Sequence, residues 1–342
     1  MIYDIEHVTE YRFNRPVELG LHRLSFRPRD SHDMRVLATE LIITPTEQRV
    51  DLVHDVYGNS LALIQPAAQS ERLEIVARFT VEHLGQEVLD QPTASESTWM
   101  PPPYSTAEQL ALTPFLLPSF DDPNLVLRTW AQPFAEAAHN GGGPRAVVAK
   151  MNEAIRSGFT YALREAEGTQ TPQETLAAGS GACRDFATLM IDALRHLGIA
   201  ARFVSGYLYC PPLVAPIEAP AEAPAEALAE AVPAAEAAAA AEPAAPAPPA
   251  QAAEPVEPAE PAELAPVANV GGGATHAWVQ VFLPDCGWFA VDPTNNLIGG
   301  TDLIRLAVAR EAAEVSPLSG TWWGAPEDFA GMSVRVTVTA RA

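Results

Sequence analysis

The chain has 342 residues, enough for one large domain or two ordinary ones, with 43 acidic against 21 basic residues and a net charge of −22. That balance argues against a nucleic-acid backbone or an anionic membrane as the main partner. Three cysteines, an odd number without a C-x-x-C pair, make neither a disulfide framework nor a zinc site.

The opening MIYDIEHVTEYRF alternates like a strand and lacks the basic and apolar regions of a leader peptide. No apolar run is long enough for a membrane span, so a reducing, cytoplasmic setting is expected. Further strands are expected at VLATELIITP, SLALIQP and LEIVARFTVEHL, broken by NRP, RPRDSHD and DVYGNS. Residues 1–92 thus read as an all-β module. Its histidines (His7, His22, His32, His54 and His83) are scattered, and no H-E-x-x-H occurs anywhere, so metal-dependent hydrolysis lacks ligands.

Residues 93–123 read as a proline-rich linker or strap. A core is expected from 124 to 342, with helices at roughly 124–139 and 144–157. Thr171-Pro172-Gln173-Glu174 has the form of a capping box with proline at the first helical position. The next helix, 183–197, collects Phe186, Leu189, Met190, Ala193, Leu194 and Leu197 on one face, with Gly198 placed to end it. Strands follow at ARFVSGYLY, THAWVQVFL, GWFAVDP and SVRVTVTA. Between the first two lies an insertion, 211–270, almost wholly Ala, Pro and Glu, with ten glutamates and no basic residue. It has too few large apolar side chains for a core and is expected to be disordered.

The segment GSGACRDFATLMIDAL places a cysteine on the first turn of that apolar-faced helix. A cysteine opening a core helix is more often structural than reactive. Here, however, free N–H groups and the positive end of the helix dipole would favour a thiolate and could stabilise an oxyanion. Arg184 adds positive charge beside it. A cysteine nucleophile also needs a base and a group to orient the base. THAWVQVFLPDCGWFAVDPTNN supplies both. A three-residue loop at 284–286 puts Leu283 opposite Gly287 and Trp278 opposite Asp292. His276 then lies two residues along the same face as Asp292, about 7–8 Å away between backbones, and a one-residue slip would separate the two. The order Cys183, His276, Asp292 reads as nucleophile, base and orienting acid.

GACRDFATLMIDALRHLGIAARFVSGYL followed by THAWVQVFLPDCGWFAVDPTN resembles the core of the bacterial transglutaminase-like superfamily, papain-like thiol enzymes often labelled cysteine proteases. YDIEHVTEYRFNRPVELGLHRLSFRPR with DVYGNS resembles the β-rich module that precedes that core. The resemblance implies an α+β fold, a cysteine-bearing helix packed on an antiparallel sheet, behind an all-β N-terminal domain. It puts the family's nucleophile, histidine and acid on Cys183, His276 and Asp292. It implies that Asp185 supports the turn or cleft, and that Trp278 and Trp288 are packing and cleft walls. Tyr161, in GFTYAL, is a candidate to line the site; Cys210 and Cys286 have no base partner. No cofactor or metal is implied. The implied partner is a peptide or protein substrate, with an association to ATP-grasp ligases. The expected reaction is thiol-dependent cleavage at a peptide or side-chain amide; amine transfer and a catalytically idle binding protein are the alternatives.

Overall fold

The computed structural model of the chain describes residues 1–46, 49–66, 69–85, 100–137, 142–164, 168–211 and 274–341. Its first element, β1 (Ile2–Arg27), starts with strict inside–outside alternation: Tyr3, Ile5, His7 and Thr9 are buried and their neighbours are not. It organises a seven-stranded sheet with β2 (Met34–Thr44), β3 (Arg49–His54), β4 (Ser60–Gln65), β5 (Gln69–His83) and two C-terminal strands, all antiparallel where they meet β1. The five N-terminal strands run in the order β2-β5-β1-β4-β3. NRP, expected to break the first strand, does not: β1 continues through Pro16. Its pairing with β5 stops at Arg12 and resumes at Val17, so the proline, which has no N–H, falls where no ladder needs one.

The strap expected over 93–123 contains a helix, α1 (Thr106–Leu116). Its start was written in the sequence as a second capping box: Ser105 accepts the Glu108 N–H, and the Glu108 carboxylate accepts the Ser105 N–H at 2.8 Å. Then come α2 (Val126–Ala137), α3 (Gly143–Gly158), β6 (Thr160–Tyr161), α4 (Pro172–Ala178), β7 (Ser180–Gly181) and α5 (Cys183–His196). Helix α5 carries the apolar face expected of it. Phe186, Leu189, Met190, Ala193 and Leu194 are each at most 2% exposed and share one core with Val279, Val281 and Phe289 of the sheet beside them. Each of the larger side chains contributes about 1.5–3 kcal/mol by leaving water. Gly198 ends the helix at φ +73°, its N–H bonded to Arg195 O and that of Ile199 to Leu194 O.

That second sheet has five antiparallel strands in the order β11-β10-β9-β8-β12: β8 (Ala200–Leu208), β9 (His276–Leu283), β10 (Gly287–Asp292), β11 (Leu297–Ile298) and β12 (Leu303–Ala309). The core does not run to the C-terminus as expected. The last two strands, β13 (Leu318–Trp323) and β14 (Phe329–Arg341), return to the first sheet and pair with β1, β14 along most of its N-terminal half. Their alternating sequence signals a strand but carries no record of which edge it joins.

The sheets meet through buried groups. Tyr3, Ile5 and Phe79 of the first pack with Tyr207 and Ile304 of the second. Asn59, from the DVYGNS turn, exchanges two hydrogen bonds with the backbone of Val308, at 2.7 and 2.9 Å. The Ala/Pro/Glu insertion lies outside the described residues except at Pro211.

Candidate active site

Cys183 is the first residue of α5, and several residues before it set its direction. Gly179 closes α4 in the left-handed region at φ +60°, a conformation cheap only for glycine. Ser180 and Gly181 then pair in parallel with Thr160 and Tyr161. Gly181 has no room for a side chain, because a Cβ there would lie 2.9 Å from the Asp185 Cβ. Ala182 caps the helix, its N–H donating to Asp185 Oδ2 at 2.9 Å.

Asp185 is wholly buried, and its carboxylate also accepts the Gln170 N–H at 2.8 Å and two bonds from Arg164 at 2.8 and 3.0 Å. One carboxylate thus holds the cap of α5, the loop at Arg164 and the approach to α4. Arg184 does not simply present its charge to the thiol; its guanidinium donates to Gly168 O at 2.7 Å and Arg164 O at 3.0 Å. The half-buried Cys183 therefore sits on a clamped turn, where the first backbone N–H groups have no partner within the helix.

The hairpin carrying the other two residues has the register its turn implies, with Gly287 opposite Leu283 and Val291 opposite Val279. His276 and Asp292 consequently share a face. His276 Nε2 donates to Asp292 Oδ2 at 2.8 Å, with both side chains fully buried. Asp292 is held in turn by Asn295 Nδ2 at 2.8 Å and the Thr294 N–H at 2.9 Å. The other imidazole nitrogen, Nδ1, makes no hydrogen bond within the described protein, and Cys183 is the remaining group that acts on the ring.

The electrostatics follow from this arrangement. Burial alone would push the His276 pKa down, but the Asp292 charge and hydrogen bond, with Cys183 adding to them, raise it to about 10. Burial likewise works to raise the Asp292 pKa, and is outweighed by His276 and the bonds from Asn295 and Thr294, which hold it below the usual carboxylate value. Tyr161 faces the same ensemble. Its phenol is pushed up to about 12, first by burial and then by the negative charges of Cys183 and Asp292. It therefore stays a hydrogen-bond donor over any ordinary pH.

Trp278 lies behind the histidine, its ring stacked on His276 with centroids 6.0 Å apart. The space for it comes from Gly206, directly opposite His276 on β8, where a Cβ would meet the indole at 2.4 Å. Trp288 is not brought to this cluster. It stands four residues from Asp292, about 13 Å along a strand, and packs against Phe115, Phe282 and the Arg202 guanidinium, 4.0 Å above its ring. The resemblance that implied a packing or cleft-wall role for it carried no measure of its distance from Asp292. Cys286, at the hairpin turn, and Cys210 form no disulfide.

Three contributors carried weaker signals. Asn295 was visible in DPTNN only as a turn residue. Arg164 and Gly206 answer to tertiary neighbours, which no local pattern reveals.

Residues 3–82 match the bacterial transglutaminase-like N-terminal region, and residues 128–293 match the transglutaminase-like superfamily. An uncharacterized protein of Mycobacterium tuberculosis is 25% identical over 331 residues, covering 93% of this chain and 86% of that protein. One from Mycobacterium leprae is 22% identical over 324 residues, covering 94% and 92%. Among solved structures, one described as a putative cysteine protease from Cytophaga hutchinsonii is similar in fold with a TM-score of 0.59 at 14% identity, covering 100% of this chain and 92% of that one. The chain belongs to the transglutaminase-like superfamily, with the bacterial N-terminal region joined to a transglutaminase-like core.

Proposed function

We propose that the protein is a thiol-dependent hydrolase acting on peptide or side-chain amides through a thioester on Cys183. The observation that carries this reading is the buried 2.8 Å bond from His276 Nε2 to Asp292, which leaves Nδ1 for the cysteine. Asp292 fixes the tautomer and supports an imidazolium, so Nδ1 of His276 can take the Cys183 proton as Sγ attacks.

Attack of Sγ on the amide carbon forms the C–S bond and moves the π pair onto oxygen. We assign the Cys183 N–H, at the helix N-terminus, and the Tyr161 hydroxyl as donors to that oxygen. Collapse breaks the C–N bond, and the amine leaves with the proton from Nδ1. Water then loses a proton to Nδ1 and attacks the thioester, releasing acid and thiolate. An amine in place of water would give transfer by the same steps. Hydrolysis is favoured because the sequence holds no aspartate-rich loop of the kind calcium-regulated amine transfer uses. Three cysteines with no disulfide fit a reducing, cytoplasmic compartment.

An activated ester tests the covalent step without knowledge of the natural substrate. p-Nitrophenyl acetate should give a burst of nitrophenolate stoichiometric with protein and an acetyl group mapped to Cys183. Cys183→Ala should abolish both. Acetylation confined to Cys210 or Cys286 would refute the assignment.

A further inference from the structure

A cleft lies in the β module, away from Cys183. Strands β2 and β3 are consecutive in sequence and joined through only residues 45–48, a connection that usually closes a hairpin. They do not pair. They lie at opposite ends of the five-strand order, and no other described strand pairs with their outer edges. All five strands, the two end strands included, line a cleft of about 380 Å³.

Its floor is apolar: Leu24, Phe26, Ile43, Ala62, Ala77 and Phe79, all nine-tenths or more buried. The volume exists partly because two of these six floor positions are alanines. Its walls are apolar too and stand in solvent, with Leu41 of β2 37% exposed and Leu52 of β3 67% exposed. Volume and lining match those of small-molecule sites, which are mostly apolar with a few polar groups that fix orientation.

The charges at the cleft select the ligand. Three charged side chains line it: Arg27, Glu40 and Arg78. Arg78 is committed, donating to Glu6 at 2.8 Å and to Glu40 at 3.1 Å, so these two rim charges satisfy each other. Arg27 is exposed and has no acidic partner among the described residues. In a protein of net charge −22, an apolar cleft thus keeps one uncompensated positive charge at its mouth. We infer that this cleft binds an amphiphile with a hydrocarbon chain and a terminal carboxylate, the chain on the apolar floor and the carboxylate on Arg27. The inference is independent of the chemistry at Cys183.

A fluorescent fatty acid, 11-(dansylamino)undecanoic acid, titrated into the full chain is the test, with dodecanoic acid and 1-dodecanol as competitors. The probe should brighten and be displaced by dodecanoic acid. Arg27→Glu should weaken dodecanoic acid about tenfold or more, the worth of a charge-assisted hydrogen bond, and change 1-dodecanol about twofold at most. Ala62→Phe should fill the floor and weaken both competitors. Leu52→Asp, at an exposed wall position with little bearing on folding, should weaken both if Ala62→Phe disturbs the module. Failure of the probe to bind the wild-type chain would overturn the inference. So would binding that ignores Arg27→Glu and Leu52→Asp. Sedimentation showing a dimer that excludes the probe would also overturn it, assigning the β2 and β3 edges to a second copy of the chain.

Discussion

Two buried histidines in this molecule have opposite environments. His7 lies between the sheets, 1% exposed, with Nδ1 2.6 Å from the Tyr207 hydroxyl and Nε2 2.9 Å from Thr9 Oγ1. Both ring nitrogens are satisfied by neutral groups. Burial, with no charge to oppose it, pushes its pKa down to about 4. His276 is as deeply buried, but one nitrogen holds a carboxylate, the other is left for a thiol, and the pKa rises to about 10. Burial therefore does not separate His7 from the histidine proposed as the base. The partner's charge and the presence of an uncommitted nitrogen do.

The comparison breaks most sharply at the carboxylate. Asp292→Asn should keep the fold and lower the acylation rate by about 10²–10⁴-fold, because an amide can neither enforce the tautomer nor stabilise the imidazolium. His7→Gln should leave that rate within about twofold. Equal losses would remove the distinction between the two sites.

Stability gives the next largest effect. His276→Ala leaves a fully buried Asp292 carboxylate without its charge partner, at a cost of about 3–5 kcal/mol in urea unfolding at neutral pH. Asp292→Asn, which leaves no charge, should cost clearly less.

The two histidines should also impose opposite pH windows. His7 is depressed on folding, so acid protonates the unfolded chain first. Its contribution is complete above the unfolded pKa of 6.5 and is lost as pH falls towards about 4, for a loss of about 3 kcal/mol. His276 is raised on folding, so its contribution is complete below 6.5 and is lost as pH rises through about 10. Unfolding free energies from pH 4 to 10 would show His7→Gln flattening the acid limb and His276→Ala the alkaline limb. The same limb affected by both would contradict the assigned partners.

Asn295→Ala should give the smallest effect. It removes one donor from Asp292, a hydrogen bond to a charged group worth about 1.5–3 kcal/mol, and should slow acylation about tenfold.

Much of this contrast could be read before the structure. The helix period around Cys183 and the strand period from His276 to Asp292 are strong local patterns, and the Pro284-Asp285-Cys286-Gly287 turn sets the register that joins the last two. What could not be read is tertiary. The His7–Tyr207 contact spans two sheets and 200 positions in sequence. The C-terminal strands look the same whichever sheet they join, and Trp288 shares a face with Asp292 yet not a neighbourhood. The helix at Ser105 is a different case: its capping box was as legible as the one at Thr171, but the prolines around it masked the signal.

The most direct test is the rate of iodoacetamide alkylation at each cysteine near pH 6, mapped by mass spectrometry. Cys286 is a built-in reference, since burial and then the neighbouring Asp285 charge push its thiol up to about 11. Cys183 should react fastest of the three, and His276→Ala should erase that lead while leaving Cys286 unchanged. Alkylation of Cys183 no faster than Cys286, or a lead that survives His276→Ala, would contradict the proposed activation of Cys183 by His276 and the function built on it.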